Sequence, residues 1–146
     1  MANRMPSFRM DRGNIKASVS CARFRGQYDD AQRRLDSQVM ADMVPYMPRK
    51  TGGFIQMTKA GSASMQGTGR VMAAAPPFGY VLYWGKVMVD PETGSAWARP
   101  GVKKVVSNDQ LSFDGGAKPQ WYMEAKHHKL KKWLALAKRT AGGGSK

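Results

Sequence analysis

The chain is short of four things. It has one cysteine, two histidines, ten acidic residues against 24 Lys and Arg, and no long apolar run. A single cysteine, Cys21, cannot close an internal disulfide, which fits a reducing compartment. Two adjacent histidines, His127 and His128, point about 100° apart on a helix and cannot grip one metal as an i,i+4 pair does. No window reaches the apolar length that crosses a bilayer, so no membrane partner is expected. The first 14 residues are basic but lead into no apolar stretch, so no secretory signal is expected. No P-loop, zinc or Ser-His-Asp spacing is legible. Gly67 and Gly69 lack the Lys-Ser/Thr that a phosphate cradle needs. With no convergent titratable groups, the chain reads as a non-enzyme without cofactor or metal.

What is present is positive charge, +14 overall, and its placement is uneven. Residues 1–26 carry six basic residues against one acid, and residues 118–146 carry eight against one. The 91 residues between them hold ten against eight. A near-neutral body with basic ends suits polyanions or an acidic partner protein. Lys126, Lys129, Lys131 and Lys132 are the candidate residues for that contact. A nucleic-acid contact of this kind would run through phosphates and ignore sequence. No helix-turn-helix, zinc finger or stacking platform accompanies the charge.

At 146 residues the chain reads as one domain, spanning 15–139. A basic arm, 1–14, precedes it and a Gly-rich tail, 140–146, follows. Ile15, Ala17, Val19 and Cys21 alternate with polar residues, which predicts a strand with Cys21 facing inward. Gly26 breaks the chain. A helix over residues 27–44 follows, with Tyr28, Ala31, Leu35, Val39 and Met43 on its apolar face. Asp29–Arg33 and Asp30–Arg34 are spaced as ion pairs. Asp36 and Asp42 read as parts of a solvated face. Pro45 and Pro48 end the helix.

Residues 54–59 and 70–75 are expected to be strands, joined by a mobile loop over 61–69. Tyr80, Tyr83 and Trp84, at i, i+3 and i+4, favour a short helix over 78–84, although a strand stays open. Gly85 ends it, and the aromatics read as core. Residues 87–99 read as a hairpin. Its tip is Asp90-Pro91-Glu92-Thr93-Gly94, and residues 96–99 return beside 87–89. This hairpin supplies the candidate contact residues Val87, Val89, Asp90, Glu92, Thr93, Trp97 and Arg99. Residues 107–118 form a loop that turns at Asp114-Gly115-Gly116. The last helix runs from Pro119 to about residue 139. Its expected apolar stripe is Met123, His127, Leu130, Leu134 and Ala137, widened by Trp133, with His127 partly buried. The fold class is α+β: a small, mainly antiparallel sheet flanked by the two long helices, with a protruding hairpin and loop.

Two stretches carry a resemblance. Tyr83-Trp84-Gly85, followed by Lys86-Val87-Met88-Val89-Asp90-Pro91-Glu92-Thr93-Gly94, resembles the minor capsid or neck proteins of long-tailed bacteriophages, the head–tail joining and tail-completion group. Pro45-Tyr46-Met47-Pro48, then Thr51-Gly52, is similar to a helix-to-strand junction of the same group. The resemblance implies a structural virion protein that forms a homo-oligomeric ring, a hexamer or dodecamer, where head meets tail. It implies assembly in the bacterial host's cytoplasm. The implied partners are copies of itself, the neighbouring connector or stopper and tail proteins, and genomic DNA by non-specific contact in the channel. A tail-terminator ring is the alternative, and a sequence-independent nucleic-acid binder ranks behind it.

Overall fold

The structure is a computed structural model and describes residues 8–19 and 21–142. It is α+β, with four helices and two small antiparallel sheets. Strands β1 (Phe8–Arg12) and β2 (Ile15–Val19) pair with each other. Helix α1 (Ala22–Met43) passes into a single 3-10 turn, Val44–Tyr46. Helix α2 (Gly53–Ala63) and the short α3 (Gly79–Tyr83) follow. Strands β3 (Lys86–Val89) and β4 (Val105–Gln110) make the second sheet, and α4 (Trp121–Thr140) closes the described chain. Helices α1 and α4 pack together over the main interface of the molecule.

The core lies between these two helices. Val39, Met40 and Met43 of α1 meet Trp121, Ala125 and Trp133 of α4, with Met47 and Ile55 completing it. Trp121 is its centre: fully buried, with Phe54 and Tyr83 edge-on at 5.7 and 5.0 Å. Such edge-to-face pairs add to plain area burial.

Several expectations change here. Gly26 lies inside α1 and does not break it. An isolated glycine costs a helix only about 1 kcal/mol, which a long packed helix absorbs. Part of the expected arm, residues 8–12, is a strand. Residues 1–7 lie outside the described residues, as do 143–146 of the tail. Tyr28 is exposed although it shares a face with buried Ala31, Val39 and Met43. Asp30 and Arg34 close their pair at 2.8 Å.

The expected strand at 54–59 is helix α2. Ile55, Thr58 and Ser62 recur at helical steps and form its buried face. Thr58 Oγ1 donates to the Phe54 carbonyl at 2.8 Å, a bond to i−4 that a helix makes available. Residues 70–75 therefore have no partner strand among the described residues. Side chains take four of their peptide groups. Ser62 Oγ donates to Met72 O at 3.1 Å and accepts from Met72 N at 2.9 Å. Ala75 N donates to Thr58 Oγ1 at 3.3 Å, and Trp121 Nε1 donates to Ala73 O at 2.7 Å. Gly79 lies so close behind that an added Cβ would sit 2.7 Å from the Ala74 carbonyl carbon.

The 78–84 segment is helical as expected, and Gly85 follows it at φ 64°. Its aromatics divide. Tyr83 packs on Trp121, but Trp84 is 44% exposed and Tyr80 more so. The core reading of Trp84 and Tyr80 falls, because the five-residue helix turns only one face inward. The α4 stripe is also rotated. Trp121, Ala125 and Trp133 are buried, whereas Met123, His127, Leu130 and Leu134 are exposed. The two Trp side chains decide which face packs. Accordingly, Trp121→Ala should cost about 3–5 kcal/mol, and Trp84→Ala less than about half of that. Urea denaturation of the two variants measures the difference.

Candidate functional site

The expected tip at Asp90 does turn the chain. Asp90 N donates to Ser95 O at 2.8 Å, and Gly94 N donates to Asp90 O at 2.9 Å. Residues 96–99 do not return as a strand. The partner of β3 is β4, with Lys86 opposite Gln110, Met88 opposite Val106 and Val89 opposite Val105. The ladder is irregular between Lys86 and Met88. The connection between the strands is thus the long loop 90–104, and the β-branched pair Val105-Val106 begins the return.

Asp90 organises this loop. Its side chain is fully buried and accepts hydrogen bonds from both directions along the chain. Glu92 N and Thr93 N reach Oδ1 at 2.9 and 3.4 Å. Arg99 donates its backbone N–H to Oδ2 at 3.3 Å, its Nε to Oδ2 at 3.0 Å and its Nη2 to Oδ1 at 3.3 Å. Arg99 Nη1 also meets Glu92 Oε2 at 2.8 Å. A planar guanidinium matches a carboxylate in two places, and a charge removed from water demands such a partner. The Arg99 side chain, then the Glu92 amide, hold the Asp90 carboxyl down at about 2. The same bonds push Arg99 up.

Of the expected contact residues, Asp90 is therefore a buried fastener and not a contact. Val87 and Val89 are half-buried. Arg99 is exposed but engaged by both acids. Glu92 and Thr93 face solvent. Trp97 stands out at 89% exposure, with its backbone N–H held by Ser95 Oγ at 3.1 Å. A large aromatic side chain on a fastened loop is the kind of residue that anchors an interface.

The lysines of α4 do not form the single patch expected of them. Lys132 Nζ lies 3.3 Å from Asp42 Oδ1. Lys129 and Lys131 are two residues apart and so point about 200° apart. Asp42, taken for a solvated carboxylate, also accepts Trp133 Nε1 at 2.8 Å. Burial pushes its carboxyl up, but the bonds from Trp133, Gln38 and Lys132 outweigh that and hold it below the ordinary value. Asp36 is likewise buried. It accepts Gln32 Nε2 at 2.8 Å, Gly67 N at 2.8 Å and Gly69 N at 3.1 Å. The expected mobile loop at 61–69 is in fact the end of α2 and a series of turns pinned to α1 by that carboxylate. His127 is exposed, and His128 stacks on Tyr46 at 5.9 Å. Among the described residues no group of three or more His, Cys, Asp or Glu could hold a metal ion. No described helix is long and apolar enough to cross a membrane.

One more surface was hidden by the misplaced α4 stripe. Leu130 and Leu134, turned away from the Trp121 core, line a groove of about 390 Å³ with Leu35 and Val39 of α1, Val71 and Tyr122. The signal for it was the surplus of apolar residues on α4: more than one face can bury.

The chain matches no family model, no curated protein and no solved structure.

The Asp90 clasp gives a pH test with a definite sign. The folded-state value is depressed, so the clasp stabilises fully above the unfolded carboxylate value of about 3.9. It is lost as pH falls through about 2. Asp90→Asn should lower the melting temperature at pH 7, and its deficit against wild type should shrink between about pH 4 and pH 2. Paired thermal melts across that range measure it; a deficit that stays constant would remove the carboxylate from the explanation.

Proposed function

We propose that the chain is a structural virion protein of a tailed phage, a subunit of a ring in the neck that joins head to tail. The observation that carries this reading is the stretch from residue 78 to residue 100. It holds the Tyr83-Trp84-Gly85 and Asp90-to-Gly94 resemblance, and it builds a fastened loop that presents Trp97 at 89% exposure. A joining subunit works through shape: it needs a rigid body and surfaces offered to unlike neighbours. The α1–α4 core supplies the first. Trp97, the exposed pair Val105-Val106 and the β1–β2 hairpin supply candidates for the second. Basic residues outside the ion pairs, such as Lys126 and Lys131 on α4, suit an acidic neighbour or the phosphates of DNA in the channel.

Deletion of the gene should leave heads that package DNA and tails that polymerise, but the two should not join stably. Trp97→Ala should give the same defect in a protein whose melting temperature is unchanged. Electron microscopy of the lysates, beside a melt of the purified variant, is the test. Normal infectious particles from the deletion strain, or a defect confined to capsid shells, would contradict the assignment.

A further inference from the structure

Two apolar surfaces have no cover among the described residues. The first is one face of the β1–β2 hairpin. Pairing sets Met10 opposite Ala17 and Arg12 opposite Ile15 on one face, and Arg9 opposite Ser18 and Asp11 opposite Lys16 on the other. The second set is at home in water. The first places Met10, Ala17 and Ile15 beside a single charge, Arg12, and leaves Met10 41% and Ile15 65% exposed. No helix packs extensively across either strand. A lone two-stranded hairpin is marginal in water and needs a surface to lie on.

The second surface is the α1–α4 groove. Leu130 and Leu134 stand open there, above a floor that includes Trp133. In a chain of net charge +14, no described Lys or Arg lines this groove; the one charged group among its described lining residues is Asp36. The hairpin is basic in turn, with Arg9, Arg12 and Lys16 against Asp11. The groove therefore offers apolar cover without the repulsion that most of this surface would give a basic segment. Leu35 lies 13 residues beyond the start of α1, or about 20 Å along the helix from where the hairpin joins it.

We infer that the hairpin of one copy lies in the α1–α4 groove of a second copy, its Met10–Ile15 face against Leu130 and Leu134. The pair then still offers one free groove and one free hairpin, so the contact is head-to-tail and repeats until it closes. This deepens the ring reading above and rests on it for closure.

The test uses the full chain with Cys21→Ser. One tagged copy carries Ile15→Cys and a second, differently tagged, carries Leu134→Cys. Both positions are exposed, so both copies should fold; a melt of each confirms it. Treated with a short bismaleimide, the mixture should give a covalent heterodimer that neither copy gives alone. Met10→Glu with Ile15→Glu should weaken self-association in sedimentation by at least about tenfold. Three results would overturn the inference: oligomers that yield no mixed adduct, a chain that stays monomeric at all concentrations, or a chain carrying both Ile15→Cys and Leu134→Cys that links only within itself. The first of these leaves the neck reading standing. Conversely, a clean adduct from a protein whose deletion strain makes normal particles would refute the neck reading and keep the contact.

Discussion

A part-buried segment that pairs with no strand among the described residues must satisfy its peptide groups by other means. Residues 72–75 are in that position, and much of the body is arranged to serve them. Ser62 takes both polar groups of Met72, Thr58 takes the Ala75 amide, and the Trp121 indole takes the Ala73 carbonyl. A buried peptide group left without a bond costs as much as a lost hydrogen bond or more. That requirement fixes the rotation of α2, which must aim two hydroxyls at the segment. It also fixes the rotation of α4, which must aim an indole at it. No buried side-chain polar atom among the described residues is left without a partner.

The scarce acids follow the same logic. Of ten carboxylates, Asp36 and Asp90 are buried and Asp42 nearly so. Each ties together separate parts of the chain: Asp36 holds the 67–69 turns to α1, Asp42 joins α1 to α4, and Asp90 closes the loop onto Arg99, nine positions on. Carboxylates turned inward no longer temper the surface, so the exterior is more basic than the formal charge alone conveys. A basic exterior opposes self-association except where basic residues are missing, and the α1–α4 groove is such a place.

Much of the frame was legible in the sequence. Pro45 and Pro48 marked the end of α1, Pro119 the approach to α4, Gly85 the end of α3, and Asp90 to Gly94 a turn. These signals work because they act on the local backbone. The failures share a different cause. Phe54 to Lys59 mixes apolar and polar residues in a way that suits either period, and the choice was made by Thr58 and Ser62 reaching a segment some ten to 17 residues away. The α4 stripe had helical spacing but was centred on the wrong face: Trp133, expected at its edge, is buried, but alongside Trp121 and Ala125 and not Met123, Leu130 and Leu134. Asp36 and Asp42 looked solvated because their partners, Gly67, Gly69 and Trp133, are distant in sequence. Of the candidate contacts, Glu92, Thr93 and Trp97 lie on the surface, while Asp90 was drawn inward by the residue that pairs with it, Arg99.

The chain divides into a body stitched through Trp121 and the inward carboxylates, and outer apolar surfaces left uncovered among the described residues. Amide hydrogen exchange separates the two directly. In the free subunit, α1, α4 and the Gly67 and Gly69 amides should exchange slowly, while the β1–β2 hairpin exchanges orders of magnitude faster. Wherever the chain self-associates through that hairpin, its amides should become protected to the level of the helices. Hairpin protection that is equal in the free and assembled states, or helices that exchange as fast as the hairpin, would contradict this division.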